Sequence, residues 1–125
     1  MSKAEDWRTQ LASIATLAPG WVTWQDDGAW GLPPDEGAIT TARRLLEQVG
    51  AMIGRATVHC NAEPDTGDVC LNFWGDDGTL SVYVEAGLVG QIIAYRNPLP
   101  GFTIDRNETP FPDALAIIRN WLGEQ

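Results

Sequence analysis

The hydrophobic period of this chain changes from helical to alternating at Gly54, and that change constrains the fold more than any other feature. Before it, Ile39, Ala42, Leu45, Leu46, Val49, Met52 and Ile53 recur at helical spacing. After it, apolar and polar residues alternate. Ala56, Val58 and Cys60 interleave with Thr57, His59 and Asn61. Val69, Leu71 and Phe73 interleave with Cys70, Asn72 and Trp74, and Leu80, Val82 and Val84 with Ser81, Tyr83 and Glu85. A chain that switches from period 3.6 to period 2 in this way segregates helices from strands, which is the α+β pattern.

The helical half opens with Trp7, Leu11, Ile14 and Ala18 on one face, predicting a helix from Glu5 to Ala18 that Pro19-Gly20 ends. Gly20 to Pro34 carries three tryptophans among glycines, prolines and the Asp26-Asp27-Gly28 turn, and reads as a loop pinned by Trp21 or Trp30. Asp35-Glu36 starts the second helix, where acidic residues favour the helix dipole, and Gly54 stops it. Pro64-Asp65-Thr66-Gly67, Gly75-Asp76-Asp77-Gly78 and Ala86-Gly87 are turns. With a fourth, less regular run from Val89 to Arg96, they predict a four-stranded antiparallel meander. The spacing leaves open whether Ile92 or Ile93 of that run faces inward. Asn97 to Thr109 reads as a loop. A last helix begins at Thr109-Pro110 or Pro112-Asp113, turns Leu115, Ile118 and Trp121-Leu122 inward and packs on one sheet face. The whole chain, residues 1–125, reads as a single domain around one core.

Covering one sheet face sorts the strand residues. Thr57, His59, Asn61, Cys70, Asn72, Trp74, Ser81, Tyr83 and Glu85 share the open face, and the alternate set faces the helices. Cys60 and Cys70 then point to opposite faces and stay free thiols. Trp74, Tyr83, His59 and Asn72 form a mixed aromatic and polar surface of the kind that anchors protein interfaces. A tryptophan-bearing loop folded over this face is the alternative.

Charge narrows the partners. Seventeen acidic residues against eight basic ones give a net charge of −9, which repels phosphate backbones and anionic membranes. Direct nucleic acid binding is therefore not expected, nor is membrane binding. A protein partner with a basic surface is, including one that itself handles nucleic acid. Asp65, Asp68, Asp76 and Asp77 would form an acidic rim that steers such a partner. No cofactor or metal is expected. His59 is the sole histidine, the aspartate pairs lack the ligand series of a calcium loop, and no nucleophile elbow or phosphate loop occurs. The opening residues, Met1-Ser2-Lys3-Ala4-Glu5-Asp6, lack the apolar stretch of a secretory signal, so the expected compartment is the cytoplasm and the expected state a monomer or small homo-oligomer.

Gly20-Trp21, Pro33-Pro34, Ala42 with Leu45-Leu46, Pro64-Asp65-Thr66-Gly67 and Leu71-Asn72-Phe73-Trp74 form a series. In it, residues 20 to 86 resemble a group of small uncharacterised bacterial and phage proteins. That group has aspartate–glycine after the first tryptophan, where this chain has Val22-Thr23. In size, acidity and absence of catalytic motifs the chain is also similar to stoichiometric inhibitors: anti-CRISPR proteins, antitoxins and immunity proteins. The resemblance implies one-to-one occupation of a partner's working surface, as for a phage or mobile-element accessory, and assigns no residues. Two other functions stay open: a small enzyme or small-ligand-binding domain using the open face around His59 with Asn61, Ser81 and Tyr83, and a structural component of a larger assembly.

Overall fold

The computed structural model describes residues 6–23, 29–96 and 101–125. Its elements run α1 (Asp6–Ile14), β1 (Val22–Thr23), β2 (Ala29–Trp30), α2 (Glu36–Val49), a 3-10 segment (Gly50–Arg55), β3 (Thr57–Ala62), β4 (Val69–Trp74), β5 (Gly78–Val84), β6 (Leu88–Arg96), β7 (Phe102–Pro110) and α3 (Phe111–Gly123). β3 to β7 form one antiparallel sheet in sequence order, and β1 and β2 form a separate two-stranded hairpin. The α+β class holds, with five strands in the meander rather than four.

The added strand, β7, occupies most of the segment expected to be a loop. It lacks the alternating pattern because it is an edge strand: of its side chains only Thr109 is buried and Ile104 half-buried. Its conformation comes from backbone pairing with β6, which side-chain periodicity does not report. Residues 97–100 of the expected loop lie outside the described residues, as do Trp24 and Asp26-Asp27-Gly28. The tryptophan-rich stretch is a short hairpin pairing Val22 with Trp30, tied to the β3–β4 turn by Leu32 N–H to Pro64 O (2.8 Å) and Asp35 N–H to Gly67 O (2.8 Å). Half-buried Trp21 pins it by donating Nε1–H to Leu32 O at 2.7 Å, whereas Trp30 is exposed.

Two helices end earlier than their periodicity implies. α1 stops at Ile14 and Ala18 is exposed. α2 stops at Gly50, whose φ of 64° leaves the α region, and the chain continues as 3-10 turns that keep Ile53 in the core. At the other end of α2, the Asp35 carboxylate accepts from Gly37 N–H (2.7 Å) and Ala38 N–H (3.3 Å), an N-cap of the ordinary kind. Gly37 is also where α2 meets the β5–β6 turn. A Cβ there would stand 2.6 Å from that of Ala86, and Thr41 Oγ1 accepts from Gly87 N–H at 2.9 Å.

The helices form one layer on one sheet face, with α1 along β3, α2 across β4 and β5, and α3 across β6 and β7. All nine strand residues expected to face them are buried: Ala56, Val58, Cys60, Val69, Leu71, Phe73, Leu80, Val82 and Val84. Trp7 and Trp121 close the two ends of this core at 3% and 6% exposure. β6 takes its place through a bulge. Tyr83 pairs with Gln91 but Val84 with Val89, leaving Gly90 unpaired. That extra residue turns Ile92 and Ala94 inward and Ile93 outward. No helix among the described residues is long and apolar enough to cross a membrane.

Candidate functional site

The face of the sheet away from the helices carries three rows of side chains, set by strand register. At the β4–β5 turn end lie Thr57, Trp74, Thr79, Tyr95 and Phe102; in the middle His59, Asn72, Ser81, Ile93 and Asp105; at the far end Asn61, Cys70, Tyr83, Gln91 and Asn107. The first row is aromatic and exposed. Trp74 is 52% accessible, Tyr95 47% and Phe102 51%, with the Tyr95 and Phe102 rings 4.7 Å apart. His59 packs its ring against Trp74 at 4.4 Å. Three large aromatic surfaces on one sheet face that no described helix covers are not what a solvated face normally carries.

The structure brings some of the sequence-derived site residues together and separates others. Trp74, His59 and Asn72 are neighbours on two adjacent rows, and the Asp76-Asp77 turn stands at the end of the sheet beside Trp74. Tyr83 lies in the opposite row and is half-buried. Asp65 and Asp68 belong to the β3–β4 turn at the other end of the sheet, so the acidic turns make two separate clusters rather than one rim. Tyr95, Phe102 and Ile93 were not among the expected site residues. The Gly90 bulge hides the alternation of β6, and β7 has no alternation to read.

Electrostatically the face is one-sided. None of its fifteen row positions holds a lysine or arginine. Arg96 and Arg106 sit at positions of inward parity on β6 and β7, and the other described arginines belong to the helices and the 3-10 segment. Glu63, next to the far row, has its carboxyl raised above the usual range by partial burial and by Asp65 and Asp68.

Four polar groups of the face, Asn72, Ser81, Cys70 and Tyr83, are engaged with one another. Ser81 Oγ donates to Asn72 Oδ1 at 2.7 Å, so its hydroxyl is not presented to His59. Cys70 lies on the open face yet is only 3% exposed. Burial pushes its thiol up to about 11, aided by the Glu63 charge and opposed by hydrogen bonds with Asn72 and Tyr83. Burial likewise pushes Cys60 up to about 12, with Cys70 and Asp6 adding to it. Tyr83 is shifted upward by burial, then by Cys70 and Glu63. A thiol so far above neutral stays protonated and is a poor nucleophile. The two cysteines are free and cross-strand neighbours of opposite parity, Cys60 opposite Leu71 and Cys70 opposite Asn61. Among the described residues no three His, Cys, Asp or Glu side chains converge as a metal site would require. The arrangement suits non-covalent contact: flat aromatic area, neutral hydrogen-bonding groups and acidic turns at its ends.

No protein family, curated protein sequence or solved structure matches this chain.

Proposed function

We propose that the chain acts by one-to-one binding of another protein through the open sheet face, as a stoichiometric inhibitor does. The observation that carries this reading is the exposed row of Trp74, Tyr95 and Phe102 on the sheet face away from the described helices. Burying such rings on association supplies the anchor contacts of an interface, and the neutral groups behind them supply hydrogen bonds. The partner's matching surface is basic. None of the described row positions is a lysine or arginine, Asp76 and Asp77 border the aromatic row, and the chain as a whole is at −9. Rim carboxylates of this kind raise the association rate more than they slow dissociation, so binding weakens as salt rises.

The test compares affinity capture from the source cells by the native chain and by a Trp74→Ala/Tyr95→Ala variant, with quantitative mass spectrometry. Both residues are about half exposed, so the variant should fold normally. The expected outcome is a protein retained by the native chain and lost with the variant. Equal retention by the two, or recovery of a small molecule alone, would remove this reading.

A further inference from the structure

An antiparallel sheet leaves two edges with unpaired backbone groups, and this one treats them differently. At β3 the edge is closed by a side chain. Gln10 of α1 donates Nε2–H to Val58 O at 2.9 Å and accepts from Cys60 N–H at 2.7 Å through Oε1, as a paired peptide unit would. At β7, no described strand lies beyond the edge, and Phe102, Thr103 and residues 105–108 are exposed. The strand is regular over residues 104–107, between the register shift opposite Tyr95 and the positive φ of Glu108 (45°).

Alongside this edge runs a groove between β7 and α3. Three adjoining cavities, of about 260, 260 and 390 Å³, follow one another along the strand. The first two share Ile104 and Trp121, and the last two share Arg106 and Ile117. Their apolar floor is Ile104, Ala116 and Ile117. Gln125 lines the first cavity, and its Oε1 is buried with no hydrogen-bond partner among the described residues. Carboxylates predominate around the groove: Asp77, Asp105, Glu108, Asp113 and Glu124 against Arg96 and Arg106.

We propose that the β7 edge and the β7–α3 groove take an extended, lysine- or arginine-bearing segment of another protein as a sixth strand of the sheet. The backbone of the segment pairs with the free edge, alternate side chains drop onto Ile104 and Ile117, and its cations meet the bordering carboxylates. A second copy of this chain fits poorly, because pairing would bring two molecules of net charge −9 together edge to edge. The first cavity shares Tyr95 and Asp77 with the aromatic end of the open face, but Trp74 lines none of the three cavities.

The probe is a capped hexapeptide of alternating lysine and valine, titrated into the full chain at low salt and followed by backbone amide NMR shifts. The expected shifts fall on β7 and α3. N-methylation of alternate peptide nitrogens should abolish binding in one phase and spare it in the other, because only one edge of an added strand pairs. Ala116→Trp and Asn120→Trp place bulk in the groove from exposed positions and should each weaken binding at least tenfold with the melting temperature unchanged. Trp74→Ala should leave it intact. The proposal fails if both methylated peptides bind or neither does, or if a glutamate–valine peptide binds equally well. It also fails if the shifts centre on His59, Asn72 and Trp74, the β3 and β4 part of the open face, or if sedimentation shows that a second copy of the chain occupies β7.

Discussion

Replacing Gln10 should destabilise the fold through the β3 edge, and the size of the effect follows from two contacts. The amide makes both a donor and an acceptor hydrogen bond to the β3 backbone, at 2.9 and 2.7 Å, and its Nε2 also donates to Asp6 Oδ2 at 3.1 Å. A hydrogen bond of this type contributes about 0.5–1.5 kcal/mol net, and the freed backbone groups regain water, so Gln10→Ala should lose roughly 2 kcal/mol. In a domain of this size that lowers the melting temperature by about 6–10 °C. Gln10→Glu separates edge pairing from mere packing. It keeps the shape and the acceptor but sets an anion against the Val58 carbonyl and the Asp6 carboxylate. At neutral pH it should therefore be worse than alanine. The introduced carboxyl has its pKa raised in the folded state, so the missing stability should return as pH falls and the group, once protonated, donates to Val58 O again. Thermal and urea unfolding from pH 3.5 to 7.5 would show this, with hydrogen exchange at the Cys60 amide as the local readout. A Gln10→Glu variant as stable as the native chain at pH 7, or an unchanged Cys60 exchange rate in Gln10→Ala, would refute the closed-edge reasoning.

Trp121→Ala should cost about 3–5 kcal/mol in urea unfolding, because the indole is buried against Phe73 with ring centroids 6.5 Å apart; a loss under about 1 kcal/mol would make α3 peripheral to the core. Alkaline stability follows from the thiols. Cys60 and Cys70 titrate near 9.0 when unfolded but at about 12 and 11 when folded, so the unfolded chain releases protons that the folded chain holds. Their stabilising contribution is complete below pH 9 and is lost as pH rises from there towards 12, and Cys60→Ala should flatten that fall in a pH series of unfolding curves. An equally steep alkaline fall in Cys60→Ala would assign it to other groups.

Much of the fold was legible because burial imposes periodicity. β3, β4 and β5 each have one face on the helices and one away from them, so their apolar residues alternate, and the nine expected core positions are all buried. The inward faces of α2 and α3 were readable for the same reason, whereas Asp35, expected in the first turn of α2 for its charge, stands just before the helix as its N-cap. Trp74, His59 and Asn72 were placed on one face by parity alone. What parity could not supply is register and neighbourhood. The Gly90 bulge shifts β6 by one residue, and only the pairing of Val84 with Val89 and of Tyr83 with Gln91 decides that Tyr95 joins Trp74. β7 buries almost nothing, so its sequence carries no strand signal, yet its backbone pairing puts Phe102 beside Tyr95 and makes Ile104 one wall of a groove. The antiparallel topology, not the turn residues, sends Asp65 and Asp68 to one end of the sheet and Asp76 and Asp77 to the other. Local sequence thus determined which residues are inside. Which exposed residues stand together was decided by long-range hydrogen bonding, which depends on the backbone and leaves little trace in side-chain identity.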